Sequence, residues 1–223
     1  MSDYSTTLTR VEDYFDRSAI KVWERLTSDA PVSRIRQTVR EGRDRMRAVM
    51  MGQLPDDLRG ARVLDAGCGT GQMTAELAVK GADVVAVDIS PQLVEIARNR
   101  LPEAHQDRVT FASGDMTCDS HGQFDFVLAM DSLIYYGGPD IAGALGRLGA
   151  RTTGSVVFTV APRTPFLMAF FSVGKLFPRS DRSPIMIPHG FDALDRETGG
   201  GRLSRVARVS RGFYISECLE YRA

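Results

Sequence analysis

The clearest structural signal in the chain is Val63-Leu64-Asp65-Ala66-Gly67-Cys68-Gly69-Thr70-Gly71, where a short apolar run ends in three alternating glycines. Residues 73–80 behind it have a helical pattern. Glycines at a strand-to-helix turn let a ligand reach the backbone amides and the helix N-terminus. In doubly wound sheets such a turn lies at the carboxyl ends of the strands, where small ligands bind. The stretch therefore predicts a ligand site at the start of an α/β domain.

The spacing of these glycines distinguishes three kinds of ligand site. A nicotinamide dinucleotide site needs G-x-G-x-x-G, but position 72 is Gln and the third glycine comes one residue early, at Gly71. A phosphate-binding P-loop needs G-K-[ST], which does not follow. The remaining pattern, D-x-G-x-G-x-G, resembles motif I of the class I methyltransferases. The resemblance implies that S-adenosyl-L-methionine binds here, through Asp65, Gly67, Gly69 and Gly71.

Downstream of the glycine loop, apolar strands alternate with helices. Alternation of this kind implies parallel βαβ units with both faces of the sheet covered. The predicted strands are 63–66, 83–88, 108–112, 124–130 and 155–160, the helices are 73–80, 91–101 and 141–148, and a closing strand pair covers 205–209 and 213–221. We predict an α/β fold with a doubly wound, mostly parallel sheet. The resemblance makes it Rossmann-like, with an antiparallel last strand.

Two acidic residues after the next strands extend the predicted donor site. Asp88 ends the second strand, where a carboxylate can accept hydrogen bonds from both hydroxyls of a ribose. The resemblance implies that the turn at Gly114-Asp115-Met116 brackets the adenine, with the Asp115 carboxylate on the exocyclic amine and Met116 on the ring face. It also places further residues at the donor, namely Asp65 near its amino end, Ile89 and Met130.

The N-terminal part of the chain is predicted to be helical. In the first stretch, Val11, Tyr14, Phe15, Val22 and Leu26 recur at helical spacing. A second helix starts near Pro31 and carries an apolar stripe of Val32, Ile35, Val39, Met46 and Val49, with arginines on its other faces. We predict an N-terminal helical lid at 1–54, a donor-binding methyltransferase domain at 55–162 and 191–223, and a substrate-side insertion at 163–190.

A closer resemblance covers nearly the whole chain. It is carried by Tyr14-Phe15-Asp16, Val39-Arg40-Glu41-Gly42-Arg43, Met130-Asp131-Ser132-Leu133-Ile134-Tyr135-Tyr136, Leu176-Phe177-Pro178-Arg179-Ser180 and Gly212-Phe213-Tyr214-Ile215-Ser216-Glu217. These motifs look like those of the magnesium protoporphyrin IX O-methyltransferases. The resemblance implies methyl transfer from S-adenosyl-L-methionine to a propionate carboxylate of magnesium protoporphyrin IX. The product is the monomethyl ester of (bacterio)chlorophyll biosynthesis.

The chemistry of such a reaction fits the residues. A propionate resembles a Glu side chain, with a pKa near 4.3, so it is ionised at neutral pH and needs no strong base. The useful contributions are alignment of oxygen, methyl and sulfur, and exclusion of water. We predict Tyr135, beyond the fourth strand, and Tyr14, on the lid, as the catalytic positioning residues. The magnesium arrives in the porphyrin, and the three histidines are isolated, so no protein-bound metal is predicted.

Two features leave alternatives open. The insert around residues 165–178 is dense in Phe, Leu and Met, and it suits a wall for the tetrapyrrole, a contact with a membrane surface, or ordinary core under a loop. The arginine face of the second helix suits the propionates, but helix faces of this kind are more often solvated. Cys68 is interpreted as a small residue packed behind the glycine loop, not as a nucleophile.

Charge and cysteine usage limit the partners and the compartment. Lys+Arg and Asp+Glu are both 28, so there is no basic excess of the kind that nucleic-acid binding requires. Three widely spaced cysteines and a polar N-terminus predict a cytoplasmic protein, with a peripheral membrane contact left open. The predicted partners are the magnesium porphyrin substrate and the porphyrin-binding subunit of magnesium chelatase.

Two other functions fit the same donor site. One is a methyltransferase acting on another hydrophobic small molecule, such as a quinone or a polyketide. The other is a non-catalytic binding module on the same fold, against which the intact Asp65, Gly67, Gly69 and Asp88 argue. A donor-binding test combined with a product assay distinguishes them.

Overall fold

The computed structural model describes residues 4–15, 20–28, 31–165, 167–168 and 186–223. Within those ranges the strands are β1 (Arg62–Ala66), β2 (Asp83–Asp88), β3 (Val109–Ser113), β4 (Phe124–Ala129), β5 (Thr152–Pro162), β6 (Pro188–His189), β7 (Leu203–Arg211) and β8 (Tyr214–Tyr221). The helices are α1 (Tyr4–Tyr14), α2 (Ile20–Leu26), α3 (Arg34–Met51), α4 (Gln72–Val79), α5 (Pro91–Arg100), α6 (Gly138–Gly149) and α7 (Phe191–Glu197). Short 3₁₀ turns cover Glu103–Arg108 and Asp119–His121.

The strands form a sheet in the order β3-β2-β1-β4-β5-β8-β7, with β6 beside β5. From β3 through β5 every pairing is parallel, while β8 runs antiparallel to both β5 and β7. This topology confirms the predicted mostly parallel sheet with an antiparallel last strand. The chain moves outward from β1 to β3 and then crosses back to β4 on the other side of β1. That reversal opens a crevice at the carboxyl ends of β1 and β4, the usual ligand position in such sheets.

Both faces of the sheet are covered, which explains the continuous apolar runs of its central strands. On one face Val63 of β1 packs in a buried cluster with Leu77 of α4 and Met46 of α3. On the other face the next residue, Leu64, packs with Leu145 of α6. Side chains alternate between faces along a strand, so neighbouring residues enter different halves of the core.

Strand β5 begins at Thr152, three residues earlier than the sequence predicts. The extension includes Gly154, where an added Cβ atom would lie 2.5 Å from the carbonyl oxygen of Asp125 on β4. The pairing of the two strands is irregular between Phe124 and Phe126. Glycine allows this close approach, and its low strand propensity obscured the start of the strand.

The second predicted helix, α3, differs from the prediction in two respects. It begins at Arg34, because the hydroxyl of Ser33 accepts a hydrogen bond from the Arg36 backbone N–H and caps the helix. Ile35, predicted on the buried stripe, is 56% exposed. One turn later Thr38 lies against Gly212, between β7 and β8. Ile35 therefore lies beyond the sheet edge on which the helix packs.

The predicted lid at 1–54 contains two kinds of helix. Met46 and Met50 of α3 are fully buried, and α3 packs against β7 and β8, so this helix belongs to the core. The first predicted helical stretch corresponds to α1 and α2, and residues 16–19 between them lie outside the described part. We accordingly narrow the lid proposal to α1 and α2.

Most of the predicted insertion at 163–190 lies outside the described residues, including Phe166 and positions 169–185. The described end of it forms β6, which pairs with Ala161 and Pro162 of β5. Among the helices that the structure describes, none combines the length and apolarity needed to cross a bilayer.

Candidate active site

A cleft of about 980 Å³, open to solvent on one side, lies at the carboxyl ends of β1, β2 and β4. It is lined by the glycine loop, by the turns after β2, β3 and β4, and by residues of α1, α2 and α3. Of the predicted site residues, those that line it are Asp65, Gly67, Gly69, Asp88, Ile89, Met116, Met130 and Tyr135. Gly71, Asp115 and Tyr14 lie beside the cleft and are not among its lining residues.

The glycine loop has a left-handed backbone at each of its glycines, with φ values of 85° at Gly67, 53° at Gly69 and 83° at Gly71. The N–H groups of Gly67 and Cys68 donate to the carbonyl oxygen of Val87 at 2.8 and 3.0 Å, which fixes the loop to β2. A Cβ atom at Gly69 would meet nothing within 4 Å, so this glycine faces open space in the cleft. A ligand can therefore approach the loop backbone closely at Gly69.

Gly71 has a packing role. It precedes the first residue of α4, and an added Cβ atom would lie 2.9 Å from the Cβ of Ala97 on α5. The absence of a side chain at Gly71 thus lets α4 and α5 pack closely. This arrangement differs from the predicted direct contact with the donor.

Asp88, at the end of β2, points its carboxylate into the turn that follows β1. Oδ2 accepts the backbone N–H of Gly69 at 2.8 Å, and Oδ1 accepts that of Ser90 at 3.0 Å. Asp88 also lines the cleft, where its carboxylate presents only acceptor oxygens. The residue thereby orders the glycine loop as well as lining the cleft.

Asp65 lies beneath the loop and is almost completely buried. Its Oδ2 accepts a hydrogen bond from the hydroxyl of Thr74 at 2.5 Å. Burial raises the pKa of Asp65 to about 7, and the nearby carboxylate of Asp88 adds to the effect, while the Thr74 hydrogen bond opposes it. A cationic group entering the cleft would favour the ionised form.

Asp115 is held by the N-terminal helix instead of facing the cleft. Its Oδ1 accepts hydrogen bonds from the hydroxyl of Tyr4 at 2.9 Å and from both the backbone N–H and the hydroxyl of Thr117 at 2.8 Å. The Tyr4 ring stacks on Tyr136, with ring centroids 5.0 Å apart. These contacts fasten α1 over the turn after β3.

Aromatic side chains from the lid and from the turn after β4 form one wall of the cleft. Phe15 contacts the rings of Tyr14, Trp23 and Tyr135, at centroid distances of 5.2, 5.7 and 6.4 Å. Burial raises the pKa of Tyr135, and the neighbouring Tyr14 and Asp131 raise it further. Tyr135 therefore remains a neutral hydroxyl donor at physiological pH.

Arg43 and Asp131 form an ion pair in the same part of the cleft. Both lie in motifs that carry the family resemblance, but the sequence assigned neither of them a role. The Tyr214 hydroxyl donates to Asp131 Oδ1 at 3.0 Å, and the Asp131 backbone N–H donates to Thr159 Oγ1 at 2.8 Å. The guanidinium of Arg43 lies over the Trp23 ring, 4.6 Å from its centroid. Besides these motifs, the sequence signal for the pair was the position of Arg43 on the arginine-rich face of α3.

Helix α2 is fixed at its C-terminal end by two arginines. Arg100 of α5 donates to the carbonyl oxygens of Glu24 and Thr27, and Arg40 of α3 donates to those of Arg25 and Leu26, at 3.0 to 3.3 Å. The last four carbonyl groups of a helix lack hydrogen-bond donors within the helix. At the end of α2 the arginine side chains provide donors for carbonyl groups of this kind.

Cys68 and one of the three histidines, His189, are accounted for by packing. Cys68 is buried behind the loop, and burial raises the pKa of its thiol, which argues against a nucleophile. His189 places Nε2 2.9 Å from the carbonyl oxygen of Tyr136. Across the described ranges, no group of three or more His, Cys, Asp or Glu side chains is arranged to hold a metal ion.

Comparisons with known proteins agree with this site. The family described as "Magnesium-protoporphyrin IX methyltransferase C-terminus" matches residues 129–223, and the family described as "Methyltransferase domain" matches residues 63–152. The first match covers the turn after β4, with Tyr135, and the closing strands. The second covers the glycine loop and the turns after β2 and β3.

Individual relatives match over almost their whole length. The chain is 63% identical to the magnesium-protoporphyrin O-methyltransferase of Rhodobacter capsulatus over 222 residues, which is 99% of each chain. It is 29% identical to the Synechocystis enzyme of the same name, over 95% of this chain and 94% of that one. A crystal structure of magnesium protoporphyrin IX methyltransferase from Synechocystis with bound SAH superposes with a TM-score of 0.80 at 28% identity, covering 96% of this chain and 99% of that one.

Proposed function

We infer the catalytic function from one premise: this chain belongs to the magnesium-protoporphyrin O-methyltransferases. It is an S-adenosyl-L-methionine-dependent methyltransferase of chlorophyll biosynthesis that acts on magnesium protoporphyrin IX. The observation that carries this function is a single cleft that joins a glycine loop to an aromatic wall with a half-buried arginine. The loop suits a nucleoside donor, and the wall suits a flat, apolar acceptor with carboxylates.

The proposed reaction forms an ester at one propionate. The donor supplies an electrophilic methyl group on a sulfonium. A carboxylate oxygen of the acceptor forms the new C–O bond, and the electron pair of the broken C–S bond remains on sulfur. The products are a neutral methyl ester and the thioether S-adenosylhomocysteine, and no proton is transferred. The acceptor is ionised before it binds, so the reaction requires no general base.

We assign the donor to the glycine-loop end of the cleft. Asp88 would accept the ribose hydroxyls, and the backbone at Gly67 and Gly69 would pass close to the donor. Met116 would cover the adenine face beside Ile89. The open space at Gly69 and the buried carboxylate of Asp65 support this assignment, since a donor with a cationic amino end would stabilise that carboxylate.

Met130, Gly71 and Asp115 keep supporting roles in this proposal. Met130 lines the cleft directly before Asp131, next to the glycine loop. Gly71 sets the packing of α4 on α5, and Asp115 is the anchor for Tyr4. An adenine amine would thus find Asp115 with one oxygen already bound to the lid.

We assign the acceptor to the aromatic end of the cleft. Tyr135 lines the cleft and keeps its proton, so its hydroxyl is suited to position a carboxylate oxygen. Tyr14 contacts Phe15 and lies near Tyr135, which supports a positioning role at the lid. Alignment of this kind, together with exclusion of water, accelerates attack on a methyl group.

Helices α1 and α2 are the proposed lid. Leu8, Val11 and Phe15 from the first helix region and Trp23 and Thr27 from the second line the cleft. Their polar anchors include Asp115, Arg100 and the glycine loop on the donor-binding half, and Arg40 of α3. A lid attached in this way closes over the donor and acceptor together.

We propose two routes by which the porphyrin reaches the cleft, from a membrane surface and from another protein. The apolar composition of the insert at 163–190 suits a peripheral contact with a membrane surface, and transfer from the porphyrin-binding subunit of magnesium chelatase would keep the substrate out of water. Co-sedimentation with lipid vesicles tests the first. A pull-down with the purified chelatase subunit, with and without porphyrin, tests the second.

The function is tested by titrating the protein with magnesium protoporphyrin and following its absorbance. The titration is followed by mass spectrometry after addition of the donor. The expected product carries one additional methyl group. Absence of a methylated product from a protein that binds both compounds would contradict the proposed reaction. A matched reaction with a quinone acceptor tests the alternative methyltransferase function.

A further inference from the structure

The guanidinium of Arg43 has an ion-pair partner for one of its nitrogens but lacks a hydrogen-bond partner for another. Its side chain is 15% exposed and lines the cleft, and Nη1 pairs with Asp131 Oδ2. Nε is buried and, among the described residues, has no hydrogen-bond partner. A buried N–H without a partner costs free energy. Such a group indicates a partner that arrives with the ligand.

The other arginines of α3 near the cleft have partners. Arg47 donates to Glu76 at 2.5 Å and to Asp44 at 2.9 Å. Arg40 donates to carbonyl oxygens at the end of α2. Arg43 differs from both in its buried, unpartnered N–H and in its position against Trp23.

The guanidinium of Arg43 is also held in one place. Trp23 covers one side of it, and Asp131 fixes its edge. Asp131 is fixed in turn by Tyr214 and Thr159. A planar guanidinium held in this way is suited to recognise a carboxylate with little loss of side-chain freedom.

Building on the function proposed above, we propose that Arg43 is a specificity-determining residue that binds the acceptor carboxylate which is not methylated. A guanidinium on the attacking oxygens would withdraw electron density and stabilise the anion before reaction. On the second carboxylate the same pairing orients the porphyrin without that cost. Asp131 acts as the positioning residue, because it occupies one edge of the guanidinium and leaves other N–H groups for the ligand.

The test compares two acceptors that differ only in the carboxylate assigned to Arg43. Magnesium protoporphyrin monomethyl ester, which keeps that carboxylate, and the dimethyl ester are titrated by absorbance into the wild-type protein, Arg43→Met and Arg45→Met. Arg45 is exposed on the same helix and is the matched control. Because Arg43→Met leaves Asp131 buried without its cation, the double variant Arg43→Met/Asp131→Asn is measured in parallel. Donor binding by calorimetry shows which variants are folded.

The wild type and Arg45→Met are expected to bind the monomethyl ester about 10- to 100-fold more tightly than the dimethyl ester. Arg43→Met, or the double variant if the single one does not fold, should lose that preference. In steady-state assays KM for the diacid should rise by a similar factor while kcat stays within about threefold. A wild type without the preference, or an Arg43 variant that retains it, overturns the proposal. So does a fall in kcat at unchanged KM.

These outcomes are separate from failure of the reaction itself. If the wild type forms no methyl ester from magnesium protoporphyrin, the proposed function fails. If it forms the ester but the Arg43 variant keeps its preference for the monomethyl ester over the dimethyl ester, only the role of Arg43 fails.

Discussion

The hydroxyl of Thr27 lies 2.8 Å from the hydroxyl of Thr70, and this contact joins the end of α2 to the glycine loop. Arg100 donates to the same Thr27 hydroxyl at 3.0 Å. The lid and the donor loop therefore share one polar contact. Occupation of the loop and closure of the lid are expected to influence each other.

Arg100→Met should loosen α2 while preserving the donor site. It removes hydrogen bonds to the carbonyls of Glu24 and Thr27, and we expect turnover to fall by about tenfold, the effect of losing one charged hydrogen bond. Trp23 is the single tryptophan of the chain and lies on α2. Its quenching by acrylamide should increase.

The control for this variant is Arg98→Met, on the same helix. Arg98 is exposed and lies over the Phe111 ring, away from α2. Acrylamide quenching and turnover should remain as in the wild type. Equal quenching of Trp23 in the Arg98 and Arg100 variants would remove the basis for a lid held by Arg100.

Gly71→Ala should mainly lower the stability of the protein, whereas Gly69→Ala should mainly lower its affinity for the donor. Gly71→Ala forces a side chain against Ala97 and is expected to lower the free energy of unfolding by about 2 kcal/mol or more, from backbone strain and overlap. Gly69→Ala carries the strain alone, about 1 kcal/mol, but its methyl group projects into the donor region. Urea unfolding and donor calorimetry of both variants measure the two effects. A larger loss of donor affinity in Gly71→Ala would reverse the assignment.

Donor affinity should depend on the ionisation of Asp65. The carboxylate has a pKa of about 7 in the free protein, so it binds a proton below that pH, and a cationic donor must displace it. Affinity should therefore rise between about pH 5.5 and 7, by up to tenfold per unit. Asp65→Asn should bind more weakly and show no such rise. Calorimetry across this pH range measures the donor affinity of both proteins. If the affinity of Asp65→Asn rises with pH as steeply as that of the wild type, the pH dependence does not come from Asp65.

The same shift predicts a change in stability. The folded protein retains the Asp65 proton between pH 3.8 and about 7, whereas the unfolded chain releases it near 3.8. Stability of the free protein therefore falls as pH rises through this window. Asp65→Asn should be more stable than the wild type at pH 8, and the difference should shrink toward pH 5. Thermal unfolding at the two pH values measures it.

Turnover at saturating donor and porphyrin should be nearly independent of pH between about 6.5 and 8.5. The acceptor is already ionised, and burial raises the pKa of Tyr135 so that it does not serve as a base. Tyr135→Phe should lower turnover by about 10- to 100-fold through lost positioning, without a new pH dependence. A steep acid limb that disappears in the Tyr135 variant would show that this residue is a base.

The sequence was sufficient to predict the donor half of the fold because its signals are local. The glycine loop at 67–71 follows β1 directly and Asp88 is the last residue of β2, and strand order then brings them together. The acceptor wall depends on contacts between distant positions. Arg43 and Asp131 are 88 residues apart in the sequence. The sequence pattern of a helix does not show whether one of its arginines is buried or exposed to solvent. Ile35 illustrates the same limit of sequence-based prediction. It has the helical spacing of a buried position, but it lies beyond the edge of the sheet and is therefore exposed.

The position of β8 has a consequence for synthesis of the chain. This strand is made after β7, yet it lies between β5 and β7 and supplies Tyr214 to Asp131. While the ribosome adds residues 163 to 213, residues Val156 to Val160 of β5 have no partner on the side that β8 will occupy, because β6 pairs only with Ala161 and Pro162. At about 5–20 residues per second this interval lasts several seconds. An unpaired apolar edge invites association with other chains. A nascent chain stalled before β8 should therefore aggregate readily. It should depend on chaperones until β8 pairs with β5 and β7.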